Sequence, residues 1–408
     1  MTSRQVLLFA GLGLTLVAAG CQSDDLFTPL PPQYAGGAMF ARYVVMGNSI
    51  TAGVQSGGIN DSTQKQSYAA LLAATMGTPF YYPSLVMPGC PPPFTNVFTQ
   101  TRVGAGSTGT TCLLRSPNIP PYLTDVAVPG AELLDLFTSG PTPNSNVLTL
   151  LILGGRSQTQ AMMDARPTFV SVWAGNNDLL GAAEAGDTTL ATDTATFRAR
   201  YAQVLDSINA TGAKALLIAV GLGHFANNAV LPLFSRGSTW FGLAASGAFA
   251  PAPFTVAANC APPRGDTVFV SFPYGFGLLS AALRGTPTTL DCTAPPVIEP
   301  AETRFFARIQ LQYNGIIQAQ AATRGWAFSD SVNFLMDSLA GVLPAGSQFA
   351  PFPNIGNPGN PNPCSTSPFG LAFSCDGTHP SAATQRLIAR KLARAINQQY
   401  GSAIPAVP

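Results

Sequence analysis

The sequence predicts an α/β protein in which helices cover both faces of a parallel sheet. Short apolar runs of strand length alternate with stretches of helical periodicity along most of the chain, which is the pattern of strand–helix–strand crossovers. Three of the apolar runs stop at glycine-containing turns, at Gly47, Gly130 and Gly175, and such strand ends are where open α/β sheets place their sites. With 46% hydrophobic residues, the chain has ample material for a large core. No internal repeat is evident.

The elements follow in order. Phe40–Met46 reads as a buried strand, and Gly47-Asn48-Ser49 as the turn behind it. A helix is predicted from about Gln66, because Tyr68, Leu71, Leu72, Thr75 and Met76 share one face and Gly77 supplies a stop. Pro79–Tyr122 is rich in Pro, Gly and Thr and reads as a long surface excursion. Val126–Ala131 is a second strand end, and Glu132–Phe137 starts a helix. Thr168–Trp173 is a third strand, leading into Gly175-Asn176-Asn177-Asp178. Phe197, Tyr201, Val204, Leu205 and Ile208 mark a helix by their spacing, and Ala213–Val220 the next strand. A Phe-, Gly- and Pro-rich insertion runs from about Ala226 to Pro300. Phe305, Phe306, Ile309, Tyr313, Ile316 and Ile317 then define a helix, and Trp326–Val332 a final strand. The last helix starts after Pro380, with Leu387, Ile388, Leu392, Ala395 and Ile396 on its inner face.

Charge is sparse and balanced, with a formal net charge of +1 and no basic stripe, so a nucleic-acid partner is not expected. At the N-terminus, Arg4 precedes an apolar run over Val6–Val17, which is short for a membrane span and right for a signal peptide. Ala18-Ala19-Gly20 before Cys21 resembles the bacterial lipobox, which implies cleavage there and a lipid-modified Cys21. Gln22 in the next position favours the outer membrane by the same analogy. Residues 1–20 are thus read as a lipoprotein signal and 21–38 as a flexible tether. The six other cysteines, Cys90, Cys112, Cys260, Cys292, Cys364 and Cys375, are widely spaced and lack a CxxC. An even set of this kind suits three disulfides in an oxidising compartment; sequence-neighbour pairing is the simplest connectivity. Zinc-ligand spacings are absent, and no metal or organic cofactor is implied.

Two positions carry the chemistry. Ser49 stands where an apolar strand gives way to a turn and then a helix, a context that presents a nucleophile. His379 is one of two histidines, and Asp376 lies three residues ahead of it. A hydroxyl, a base and a carboxylate to orient the base are the minimum for serine-based acyl transfer. Unperturbed imidazole titrates at about 6.5, so it accepts a proton at neutral pH and can return it to a leaving alcohol. His224, in Gly221-Leu-Gly-His224, has no neighbouring carboxylate and reads as a pocket residue rather than the base. Ser62-Thr-Gln-Lys65 matches Ser-x-x-Lys, but its partner motifs are missing.

Taken together, Gly47-Asn48-Ser49, Pro129-Gly130-Ala131, Gly175-Asn176-Asn177-Asp178 and Asp376-Gly-Thr-His379-Pro resemble, in order, the four blocks of the SGNH hydrolases (GDSL esterases and lipases). The resemblance implies a flavodoxin-like three-layer α/β/α fold over residues 39–402, with insertions at about 79–122 and 226–300. It implies hydrolysis of a lipid, aryl or acetyl ester through an acyl-Ser49 intermediate, with His379 as base and Asp376 orienting it. Ser49 N–H, Gly130 and Asn177 would hold the oxyanion. One residue departs from the pattern: Asn48 stands where the family commonly has Asp, which removes a negative charge beside the nucleophile. The apolar stretch Phe241–Leu283 is expected to cap the site. An acyltransferase with the same triad, or a surface lipoprotein that only binds, would share these motifs.

Overall fold

The computed structural model describes residues 34–35, 37–97, 99–104, 120–138, 147–221, 223–224, 229–230, 233–249, 252–330 and 363–408. The segment read as a signal, Cys21 and most of the expected tether lie outside them, as do Cys112 and the side chain of His224. Four strands make one parallel sheet in the order β1 (Tyr43–Gly47), β2 (Phe169–Trp173), β3 (Lys214–Ile218) and β4 (Ala327–Ser329). Register pairs Tyr43 with Phe169, Phe169 with Lys214 and Leu216 with Ala327. Segment 124–128 runs parallel along the free edge of β1. Val45 N donates to Thr124 O (2.8 Å), Val126 N to Val45 O (3.0 Å) and Val128 N to Gly47 O (3.1 Å). Counted along the chain, the order is therefore 2-1-3-4-5, that of flavodoxin-like sheets.

Both faces of the sheet are covered because successive strand residues point to opposite sides. On one side Val44, Met46, Val170, Val172, Ala215 and Leu217 pack with residues of α3 (Gln158–Ala165), α5 (Thr194–Ala210) and α7 (Pro300–Arg324). On the other, Tyr43, Val45, Phe169, Trp173, Leu216 and Ile218 meet α2 (Tyr68–Met76) and α8 (Ala382–Tyr400). The remaining helices used below are α1 (Ser49–Ala52), α4 (Asn177–Ala185) and α6 (Phe272–Leu283). Local chemistry fixes the helix ends. Ser67 caps α2 by accepting from Ala70 N, Asp193 caps α5 from Ala195 N and Thr196 N, and Gly77 ends α2 in the left-handed region at φ 70°.

Several boundaries differ from the sequence expectation. β1 opens at Tyr43 rather than Phe40, because its partner strand begins at Phe169; Phe40 sits in a 3₁₀ turn, buried edge-on against the Phe169 ring at 5.0 Å. Glu132–Phe137 does not start a long helix. It holds a four-residue 3₁₀ turn, Leu133–Leu136, closed by an Asp135 carboxylate that accepts from Glu132 N. The insertion carries its own structure. Strands Phe234–Arg236, Phe269–Ser271 and Val297–Ile298 form an antiparallel sheet, and Trp240 of helix Gly237–Ala245 is buried against Phe272 and Phe276 of α6. Cys260–Cys292 and Cys364–Cys375 are disulfides with Cα separations of 5.2 and 5.1 Å, and Cys90 is also disulfide-bonded. The compact unit spans Ala35–Pro408, so the chain beyond residue 402 belongs to it; Ile404 and Val407 are buried and Arg390 Nε donates to Val407 O.

One buried acid tests this packing. Asp125, in the edge segment beside Val45, is 2% exposed and accepts from Ala127 N at 3.1 Å. Burial pushes its carboxyl up to about 8, the Ala127 N–H opposing only in part. Between the unfolded value of about 3.9 and this raised one, the unfolded chain has lost a proton that the fold retains. Stability should therefore fall as pH rises through that window. Asp125→Asn keeps the acceptor and removes the titration, so its melting temperature relative to wild type should climb from pH 5 to pH 8, as read by thermal denaturation at fixed ionic strength.

Candidate active site

The turn after β1 is built so that Ser49 emerges at the sheet's C-terminal edge. Gly47 lies at φ 151°, and a Cβ there would run into the carbonyl oxygen of Trp173, so only glycine fits. The buried Gln158 brackets this residue: Gly47 N donates to its Oε1 (2.9 Å) and its Nε2 donates to Gly47 O (2.8 Å). Asn48 is 1% exposed and caps α1, its Oδ1 accepting from Ile50 N at 3.1 Å. Asn thus supplies the turn's bond, while its Nδ2 has no partner among the described residues. Ser49 is the first residue of α1 and half-buried. Thr51 Oγ1 and Tyr68 OH, 2.9 Å apart, fix α1 to α2.

The Asp376–His379 turn reaches the same place from the far end of the chain. His379 Nδ1 lies 2.7 Å from Asp376 Oδ2, with side chains 16% and 10% exposed. The same carboxylate accepts from His379 N (2.9 Å), Thr378 N (2.9 Å), Ser374 Oγ (3.2 Å) and, through a short contact, Gly57 N. Burial alone would push this carboxyl up; the His379 ring and the N–H donors outweigh it and bring it down to about 2. Ser56 N donates to Ser374 Oγ (2.7 Å), Cys375 N donates to Ser56 Oγ (3.1 Å), and Gln385 Nε2 donates to Ile50 O (3.2 Å). The turn is therefore hydrogen-bonded to the loop that follows α1, at Ser56 and Gly57, and α8 behind it is bonded to α1 through Gln385. The Cys364–Cys375 disulfide anchors it one residue ahead of Asp376.

The other two blocks complete the same edge. Gly130 is exposed at φ 77°, two residues beyond Val128, whose N–H bonds Gly47 O. Asn177 opens α4 and its Nδ2 donates to Ala131 O (2.8 Å), which leaves one amide hydrogen unused and sets the side chain beside the glycine turn. Its neighbours have different work: Asn176 Nδ2 donates to Gly221 O (3.1 Å), and Asp178 accepts from Leu133 N (2.9 Å) and Thr192 Oγ1 (3.0 Å). Among the described residues, neither Ser49 N–H nor Gly130 N–H has a hydrogen-bond partner, so three donors stand open at this edge.

Beside them lies a cavity of about 260 Å³, lined by Asp376 and Thr378, by Leu233, Phe272 and Phe276 of the insertion, and by Glu184 of α4. Part of the expected cap thus does face the site. Glu184, Gln158 and Gln385 escaped the sequence reading. The two glutamines had a signal: each interrupts an apolar helix stripe, Gln158-Ala161-Met162-Ala165 and Gln385-Ile388-Leu392-Ile396. A buried amide on such a stripe needs partners. The Ser-x-x-Lys match is structural: Lys65 pairs with Asp61 at 2.6 Å on the surface. Among the described residues, no group of three His, Cys, Asp or Glu is placed to hold a metal ion.

No family model and no curated protein matches the chain. Among solved structures it is similar to a catalytic mutant of the acetylxylan esterase Axe2 from Geobacillus stearothermophilus, at TM-score 0.38 and 11% identity over 89% of this chain and 96% of that one. It is also similar to LAE5, an α/β hydrolase enzyme from the metagenome of Lake Arreo in Spain, at TM-score 0.40 and 12% identity over 90% and 98%. TesA overlaps at TM-score 0.36 and 12% identity over 88% and 98%. Likeness at this level leaves the fold to be read from the chain's own sheet order and the chemistry from its own side chains.

Two outcomes test the site's construction. Gln158→Ala removes both bonds to the Gly47 backbone and should cost on the order of 2 to 3 kcal/mol in urea denaturation. Asp376, depressed in the fold, contributes stability that is present above about pH 4 and is lost as pH falls toward 2. The stability gap between wild type and Asp376→Asn should accordingly narrow between pH 5 and pH 2 in chemical denaturation.

Proposed function

We propose that this chain is an SGNH-type serine esterase that hydrolyses carboxylic esters through an acyl-Ser49 intermediate. The observation that carries the reading is the 2.7 Å contact of His379 Nδ1 with Asp376 Oδ2, on a turn hydrogen-bonded to Ser56 and Gly57 in the loop behind Ser49. Ser49 Oγ attacks the ester carbonyl and its proton passes to His379. Asp376 holds the ring and balances the imidazolium. The three open donors, Ser49 N–H, Gly130 N–H and the Asn177 amide, take the charge that develops on the carbonyl oxygen. The proton then goes to the leaving alcohol, and water attacks the acyl-enzyme by the same route in reverse. A cavity of about 260 Å³ lies just below the ~300–1,000 Å³ common for ligand sites, so an ester whose acyl and alcohol parts are both small suits it better than one with a long chain. The apolar run Val6–Val17 and the lipobox-like residues before Cys21 support, as part of the proposal, a lipid-anchored protein of the cell envelope tethered to the outer membrane.

A p-nitrophenyl ester series on the purified mature protein tests the reading. Turnover should be greatest with short acyl chains. Ser49→Ala should lower kcat by at least about 10⁴-fold and Asn177→Ala by about 10²- to 10³-fold. A folded wild type inert toward every ester, or one indifferent to Ser49→Ala, would leave a binding protein in place of the enzyme.

A further inference from the structure

We infer that the cavity beside the Asp376–His379 pair takes a quaternary ammonium group, so that the preferred substrate is an ester of a cationic, choline-like alcohol. The inference rests on the esterase reading above and adds the chemistry of the leaving group. Four phenyl rings line the cavity; Phe94 carries the Arg102 guanidinium, and of the other three Phe272 lies 5.2 Å from Phe276 and 5.2 Å from Phe369, the latter pair edge to face. Set among them is Glu184, half-buried on α4 two turns beyond Asn177.

Among the described residues, the Glu184 carboxylate has no hydrogen bond and no ion pair; its one interaction is electrostatic, with His379. Burial raises its pKa, His379 acting in the opposite sense, so the ionised form is short of compensation where it stands. Candidate occupants differ in how they meet that need. An acyl chain would bury the carboxylate further with nothing in return. An anionic group would face both Glu184 and Asp376. A cation supplies the missing charge, and phenyl faces attract it through their quadrupoles; three rings with a carboxylate is the composition of a quaternary-ammonium cage. A trimethylammonium head also presents an apolar surface to the rings and needs no donors or acceptors from them. Arg102, which sits over the lining residue Phe94 at 3.7 Å, is already engaged, donating to Gly57 O (2.8 Å) and Pro92 O (2.6 Å).

Because Glu184 also interacts with His379, its substitution alters the base as well as the cavity. A ratio between isosteric substrates removes that common effect. Acetylcholine and 3,3-dimethylbutyl acetate share an acyl group and a shape and differ in the charge of the head. The ratio of their kcat/KM values should be about tenfold in favour of acetylcholine in wild type, and should fall toward one in Glu184→Gln. Phe276→Leu, which keeps the bulk and removes the quadrupole, should lower it as well, and serves if Glu184→Gln does not fold. Hydrolysis of p-nitrophenyl acetate with a wild-type ratio near one, or a ratio unmoved by both variants, would overturn the inference and leave the esterase reading intact. If no ester is cleaved, that reading fails by itself. Calorimetric titration with tetramethylammonium then decides the cavity: binding that is lost in Glu184→Gln supports the inference, and no binding to wild type overturns it.

Discussion

The Asp376 carboxylate is the interaction on which the site depends. It takes the His379 ring on one oxygen and three N–H or O–H donors from its own turn on the other, and it reaches Gly57 across more than three hundred residues of chain. A single side chain therefore sets the direction of the His379 ring and docks the C-terminal turn onto the loop behind Ser49. Its depressed pKa reports how far these contacts outweigh the cost of burying a charge.

Around that contact the sheet supplies position and the glutamines supply rigidity. The 2-1-3-4-5 order brings the ends of the edge segment, β1 and β2 together, so Gly130, Ser49 and Asn177 arrive from neighbouring strands at one edge. Gln158 clamps the backbone just before Ser49, and Gln385 joins α8 to both α1 and α2 through Ile50 O and Tyr68 N. Each buried amide satisfies main-chain groups that a strand-to-helix turn leaves open. The insertion then adds apolar walls on the side where the carboxylate of Glu184 waits.

Much of this was legible in the residues because the signals are local. Gly-Asn-Ser at a strand end, a carboxylate three residues before a histidine, and apolar residues at helical spacing depend only on neighbours, and the parallel sheet with its site edge follows from them. What stayed hidden depends on contacts distant in sequence. The partner of β1 begins at Phe169, so the strand could not be trimmed to Tyr43 from its own apolarity. Three-residue strands such as Phe254–Val256 and Phe269–Ser271 are too short for a period to show. Glu184 carries no local signal in the sequence; only the fold brings it to one cavity with Asp376 and the insertion.

Peptide mass mapping after treatment with a fluorophosphonate tests the joint action of Ser49 and His379 most directly. Its phosphorus centre reacts with a serine only when a base and an oxyanion site act on that serine together. The adduct should fall on the peptide containing Ser49 in wild type and vanish in His379→Ala, which retains the hydroxyl. A folded protein left unmodified, or an adduct that persists undiminished without His379, would contradict the claim that these side chains work as one unit.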